Sequence, residues 1–533
     1  MIYKPRWRRR VLTALLLCVC LSPVSAQQPL PGDLDEYIAR ALKEFNVPGL
    51  ALAVVKDGRV VVAKGYGVRE MGKPAPVDEQ TLFGIASNSK AFTTAALAML
   101  VDEGRLSWDD RVIKHLEAFQ MYDPYVTREI TVRDLLTHRS GMGLGAGDLM
   151  FFPPTDFTRA EIMRNIRFLK PVTSFRSRYA YDNVLYMVAG EVLRTVSGKT
   201  WDEFIKERIF APLGMTRSNT STNDLRAGDN VVSPHAMADG KLKPIAFNNL
   251  DNVAPAGAIN SCVADMAKWL IAQLDNGKYR ASDGTEKRLF SVRQNQEMWS
   301  AQTNLPINQN PPPPLAALKP NFSAYGLGWV LQDYRGHKVV SHTGGLAGMV
   351  SKVTLVPDLK LGIAVLTNQE EGGAFSAVSW RLVDHYLSAP ATDWIKAYRD
   401  LRNAQLQSAA GAAKQQADKR NAESKPSLPL KSYVGAYRDE WYGNITIGSA
   451  GDKLTLRFNR TPLLVGELEH WQYDTFIVRW QERSLNADAY VTFSLKPDGS
   501  IEQMKMAAVS PLTDFSFDFQ DLLFVPVKEE RGR

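Results

Sequence analysis

The chain has almost no cysteine, three in 533 residues. Cys18 and Cys20 fall inside the N-terminal apolar segment, so a processed chain would keep only Cys262. A single thiol cannot form an intramolecular disulfide, and the fold must rest on its core. Histidine is also sparse. The seven histidines (115, 138, 235, 337, 342, 385 and 470) show no metal-ligand spacing, so neither a metal nor another cofactor is expected. Ser197-Gly198-Lys199-Thr200 has the tail of a phosphate-binding loop, but Leu193 stands where the first glycine belongs. No Gly-x-Ser-x-Gly elbow occurs, which removes the nucleophile of an α/β-hydrolase.

A run long enough to cross a bilayer is missing near the N-terminus as well. Lys4, Arg6, Arg8, Arg9 and Arg10 precede an apolar stretch from Val11 to Leu21, and Val24-Ser25-Ala26 stands before Gln27. That stretch is well short of the ~20 residues of a spanning helix. A basic start, a short apolar core and a small-residue site read as a cleaved signal peptide over 1–26. The expectation is a bacterial periplasmic or secreted protein with no stable membrane anchor. Of the net charge of +7, five positives and no acids lie in residues 1–26, leaving +2. Such a balance does not describe a nucleic-acid surface, so nucleic acid is excluded as a partner.

The patterns that are present divide the chain. Residues 33–46 have the spacing of an amphipathic helix. Leu50 to Val55 and Val60 to Ala63 are apolar strands joined through Asp57-Gly58, a strong hairpin signal. Helical pieces alternate with turn-rich loops from 105 to 250. One helix, Glu191 to Leu213, stops at Ala211-Pro212-Leu213-Gly214-Met215, and residues 263–276 read as another. Proline and asparagine crowd 302–324 into a loop or insertion. Gly328 to Gln332, Lys338 to Ser341, Val350 to Val356 and Gly362 to Thr367 are short strands. A strand pair, a helical middle and closing strands predict an α+β domain with one antiparallel sheet built from both its ends. Residues 403–428, rich in Ala, Gln and Lys, read as a helical or extended linker. From Ser432 onward the period is two, which predicts a small closed antiparallel β-barrel.

The chemistry begins at Ser87-Asn88-Ser89-Lys90. If a helix starts there, Lys90 lies one turn from Ser87 on the same face. An amine so placed takes a hydroxyl proton once burial keeps part of it neutral. Alone the motif is weak, because an N-cap serine with a solvated lysine looks the same. Acyl transfer also needs a second proton-transfer group, an amide to align substrate and backbone donors for an oxyanion. Tyr181-Asp182-Asn183 supplies candidates for the first two. The strand end Ser341-His342-Thr343-Gly344-Gly345 supplies close backbone approach and the Gly345 N–H.

These segments resemble, in order, the motifs of the class C β-lactamase family, which also holds DD-peptidases, D-aminopeptidases and esterases. The match runs over roughly residues 33–390 and includes Asp134 to Met142, Ala254 to Ala258 with Asp265 to Trp269, and Pro212 to Met215. By that resemblance Ser87 is the nucleophile, Lys90 and Tyr181 share general-base and general-acid work, and Asn183 holds a substrate amide. The backbone N–H groups of Ser87 and Gly345 form the oxyanion hole, and His342, Thr343 and Gly344 border the substrate. His138 falls in a family-like loop and reads as structural. One departure stands out. β-Lactamases of this family usually carry Lys-Thr-Gly where this chain has His342-Thr343-Gly344, and a histidine is mostly neutral near pH 7.

Four regions follow: a signal peptide over 1–26, a serine hydrolase domain over 27–390, a linker over 391–428, and a barrel over 429–533. The last resembles the lipocalin-like domain often appended to such hydrolases. A barrel there would hold a ligand, lid the cleft or mediate homo-oligomer assembly. The functional expectation is a serine hydrolase acting through an acyl-enzyme on a small-molecule or peptide ester, amide or β-lactam-like substrate, with esterase or peptidase activity favoured over β-lactamase. The alternative is a penicillin-binding or sensor module that acylates without turnover.

Overall fold

The computed structural model describes residues 1–2, 28–226 and 228–527. The signal-peptide expectation and the last six residues lie outside the described residues.

Gly49–Lys56 (β1) and Arg59–Gly67 (β2) form the expected hairpin, turning through Asp57 and Gly58 at φ 53° and 73°. Two consecutive positive φ angles are what a tight right-twisted hairpin needs, and Asp-Gly meets that at low strain. The other strands of the first sheet are Thr303–Asn304 (β3), Ser323–Tyr325 (β4), Val330–Tyr334 (β5), His337–Leu346 (β6), Met349–Val356 (β7) and Leu361–Thr367 (β8). The spatial order is β2-β1-β8-β7-β6-β5-β4-β3, and every pairing is antiparallel. The first and last parts of the domain therefore meet at β1 and β8. Residues 302–324 are mostly loop, yet they supply the edge strand β3 and most of its neighbour β4.

The sheet separates two cores. Along β1, Leu50, Leu52 and Val54 enter one core while Ala51, Ala53 and Val55 enter the other. Period-two alternation with both faces apolar is the mark of a strand covered on both sides. Leu34–Glu44 (α1) and Gly372–Tyr386 (α5) pack in the first core. Ser89–Asp102 (α2), Val184–Ser197 (α3) and Val263–Leu274 (α4) pack in the second.

Two elements differ from expectation. The helix read from Glu191 to Leu213 is broken at Gly198, which adopts φ 75° as a C-cap. A capping box at Thr200 and Glu203 then restarts the chain at Trp201. Beyond 390, Trp394–Asp418 (α6) is one helix of 25 residues. Its first turn is buried, and the Trp394 indole donates to Asp384 Oδ2 at 2.8 Å. That turn belongs to the core of the first domain.

The second sheet comprises Gly435–Asp439 (β9), Gly443–Ala450 (β10), Lys453–Phe458 (β11), Val465–Gln472 (β12), Thr475–Trp480 (β13), Ala489–Leu495 (β14), Ile501–Ala508 (β15) and Val525–Pro526 (β16). Successive strands pair as a meander, β16 returns beside β9, and a bridge from Met504 to Phe524 nearly closes the barrel. Its interior is filled by Tyr433, Phe458, Phe476, Trp480, Phe493 and Phe519, with ring centroids as close as 4.8 Å. Of the three uses open to such a barrel, the ligand cup is disfavoured by this packing.

Candidate active site

Ser87 lies in a single 3-10 turn, Ala86–Asn88, that feeds directly into α2. The turn is anchored from both sides. Ser351 of β7 donates to the Ile85 carbonyl at 2.8 Å and accepts from Asn88 Nδ2 at 2.8 Å. Ser89 Oγ accepts from the Ile259 N–H at 3.2 Å. Ser87 thereby sits at the positive end of a 14-residue helix, where a developing alkoxide is favoured.

Lys90 is completely buried, and its Nζ lies 3.1 Å from Ser87 Oγ. It also lies 2.7 Å from Asn183 Oδ1 and 3.0 Å from the Ala256 carbonyl. Burial pulls its pKa down to about 7, against the opposing pull of Asp148 and Asp182. The ring of Tyr181 faces the amine at 4.8 Å, and Tyr181 and Ser87 line the same cleft. Burial holds the Tyr181 phenol well above the usual tyrosine range, hence protonated at neutral pH.

Asn183 is used at both ends. Its Oδ1 accepts from Lys90 and its Nδ2 donates to Asp148 Oδ2 at 2.8 Å. Besides lining the cleft where a substrate amide is expected, Asn183 therefore holds the lysine. His138 is structural, as expected. Its Nδ1 accepts from the Asp182 N–H at 3.2 Å, and its ring packs 4.2 Å from that of Tyr181.

On β6 the residues alternate in role. The His342 Nδ1 donates to the Thr343 carbonyl at 2.6 Å, so Nε2 accepts from the Tyr325 hydroxyl at 2.8 Å. Burial, with Lys90 nearby, lowers its pKa to about 3. His342 is thus neutral, with both nitrogens occupied. Thr343 and Gly345 are exposed to the cleft. Gly344 serves the opposite side, since a Cβ there would stand 2.1 Å from the Ile85 carbonyl oxygen. That glycine lets the sheet approach the turn carrying Ser87, whereas around Gly345 the space is open.

The three sequence segments therefore converge on one pocket. A family model described as Beta-lactamase matches residues 34–388. The chain belongs to the Beta-lactamase family. A second model, a domain of unknown function (DUF3471), matches residues 419–526. The family member is 31% identical over 438 residues to an unguisins hydrolase of Aspergillus campestris, covering 79% of this chain and 78% of that protein. It is 26% identical over 381 residues to protein Flp of Staphylococcus aureus, covering 69% and 70%. The octameric penicillin-binding protein homologue from Pyrococcus abyssi has the same fold, with TM-score 0.60 at 24% identity over 93% of this chain and 99% of that one. Family and relatives together support a serine hydrolase.

In this family member the cleft in front of Ser87 has a volume of about 800 Å³ and is walled by both domains. Leu144, Phe151 and Phe152 line it from the hydrolase side, and Leu512, Phe515 and Phe517 from the barrel side. Among the described residues lining it, none is lysine or arginine, while Glu370, Glu482 and Asp514 are acidic. Sequence reasoning missed Asp148 and the barrel residues. Asp148 follows Gly145-Ala146-Gly147, and that glycine-rich turn was the one available signal of a tightly packed backbone.

Proposed function

We propose that this Beta-lactamase family member hydrolyses esters or amides lacking a free carboxylate beside the scissile bond, with esterase or peptidase activity exceeding β-lactamase activity. The observation that carries this reading is the charge of the cleft. A β-lactam or DD-peptide presents a carboxylate, and here it would meet a neutral His342 and acidic side chains in place of a fixed cation. A relative named for hydrolysing unguisins agrees with turnover of a substrate other than a β-lactam.

The neutral amine of Lys90 has two N–H bonds and one lone pair. Asn183 Oδ1 and the Ala256 carbonyl take the two N–H bonds, which aims the lone pair at Ser87 Oγ. Ser87 Oγ then bonds to the substrate carbonyl carbon as its proton passes to Lys90. The carbonyl electron pair moves onto oxygen, facing the N–H groups of Ser87 and Gly345, each such donor being worth roughly 3 kcal/mol in other enzymes. Collapse expels the leaving group, which takes the Tyr181 proton, and the Lys90 ammonium restores it. Water repeats the sequence on acyl-Ser87 and releases the acid. The chemical steps stay on protein groups throughout.

Steady-state hydrolysis of p-nitrophenyl acetate and nitrocefin, with mass spectrometry of Ser87 during turnover, tests this. The expected result is transient acylation and a higher kcat/KM for the ester. Efficient nitrocefin turnover that beats the ester would refute the preference. A stable adduct from every acyl donor would establish the non-turnover sensor instead. Export to the periplasm or medium is part of the same proposal, and mature protein beginning at Gln27 is its signature.

A further inference from the structure

Between β15 and β16, residues 512–517 line the hydrolase cleft before Phe519 returns the chain to the barrel interior. Its fit is specific. Gly145 adopts φ 71°, and a Cβ there would stand 2.6 Å from the Phe515 carbonyl oxygen. The Gly147 N–H donates to Asp518 Oδ2 at 2.7 Å. Phe515 meets the edge of Tyr181 at 5.9 Å, and Phe517 meets Phe152 at 5.3 Å. Between those two phenylalanines, the Ser516 hydroxyl is buried and donates to Asp148 Oδ2 at 2.8 Å.

That contact is the first of three in series. The same Asp148 oxygen accepts from Asn183 Nδ2, and Asn183 Oδ1 accepts from Lys90 Nζ. Asp148 is fully buried, and its Oδ1 has no partner among the described residues. The orientation of Asn183 decides what Lys90 can do. An amide has a donor end and an acceptor end, and a flipped Asn183 would offer N–H groups to the lysine lone pair. Asp148 Oδ2 accepts hydrogen bonds whether or not Oδ1 carries a proton, so it selects the donor end of Asn183. The carbonyl is then left for Lys90, and the lysine lone pair for Ser87.

We propose that Ser516, carried by the C-terminal domain, is a positioning residue for acyl transfer: it fixes Asp148, which sets the Asn183 amide and through it the Lys90 amine. This rests on the assignment of Ser87 and Lys90 made above. The barrel thus completes the active site through its connecting strap.

The test uses the full chain, p-nitrophenyl acetate as substrate and a fluorophosphonate as probe of Ser87. Ser516→Ala is expected to lower kcat and the labelling rate about tenfold, with KM within twofold and the melting temperature nearly unchanged. Ser516→Thr, which keeps the hydroxyl, is expected to recover most of the loss. Asp148→Asn, which can present either amide end to Asn183, is expected to lose more than Ser516→Ala. Wild-type kcat in Ser516→Ala would overturn the proposal, as would equal losses in the Ala and Thr variants, which would indicate packing alone. Ser87→Ala separates the two levels of argument. If it stays active, the nucleophile assignment fails and this inference with it; if it is dead while Ser516→Ala is unimpaired, only the inference fails.

Discussion

The protein contains two eight-stranded antiparallel sheets, and they are used in opposite ways. The first is open, covered on both faces, and it places its chemistry where β6 runs beside the turn of Ser87. The second curls nearly shut around its own aromatic side chains. A closed sheet has few free edges and, when packed this fully, offers no interior site. Its contribution to the cleft comes from a connection between strands. The candidate site thus lies at the open sheet and at the seam between the domains, where Asn165 donates to the Trp441 carbonyl at 2.8 Å and Asn486 to the Met237 carbonyl at 2.8 Å.

The largest effect is expected at the nucleophile of the open sheet. Ser87→Ala should lower kcat for p-nitrophenyl acetate by up to about 10⁶-fold and abolish fluorophosphonate labelling, as removal of a serine nucleophile does elsewhere. Active-site titration of the purified variant checks this. Lys90→Met should cost about 10³-fold while labelling persists slowly, because general-base assistance is worth about 10²–10⁴. The same base sets the pH profile. With a pKa of about 7, Lys90 is protonated and idle below that value. Activity should therefore rise with pH through about 7, and this rise should be missing in Lys90→Met.

A change in the barrel interior should read out in stability first. Trp480 is fully buried, and its indole donates to the Ala487 carbonyl at 2.7 Å. Trp480→Ala should destabilise the barrel by about 3–5 kcal/mol. Below the barrel's melting temperature, ester hydrolysis should remain; above it, activity should fall as the strap leaves the cleft. Parallel melting curves by circular dichroism and by activity check this coupling.

Much of this architecture was legible. Asp57-Gly58 gave the hairpin through its two positive φ angles; Ser87 and Lys90 stood out by their one-turn spacing, and Tyr181 and Gly345 through the resemblance of their segments to family motifs. What escaped the sequence was set by tertiary contact. Nothing local tells Gly344, which lets the Ser87 turn approach, from Gly345, which faces the cleft. The hold of Asn183 on Lys90 and Asp148 was not readable, because these partners are 93 and 35 residues away in the chain. Ser516 is 368 residues from Asp148, within a strap without periodicity. The break at Gly198 was readable in principle, since glycine followed by Thr200 and Glu203 is a C-cap and a capping box in succession.

The smallest effect expected concerns a second buried lysine. Lys352 lies on β7 next to Ser351, but successive strand residues face opposite ways, so Ser351 meets the Ser87 turn while Lys352 meets α5. Its ammonium lies 5.0 Å from the Trp380 ring and 5.9 Å from that of Phe375, and burial alone pulls its pKa down to about 8. Both buried lysines are depressed, so a lowered pKa does not by itself make a base. Lys90 differs in having a hydroxyl at 3.1 Å and acceptors that orient its lone pair. Lys352→Met keeps the side-chain volume, removes the cost of burying a charge near neutral pH, and should leave kcat within twofold. The sign of its pH dependence is fixed. Between about 8 and the unfolded value of 10.5, the unfolded chain binds more protons at this residue than the folded chain. Wild-type stability should therefore rise relative to Lys352→Met as pH climbs through that window, and urea unfolding of the two proteins at pH 7 and pH 10 measures the difference.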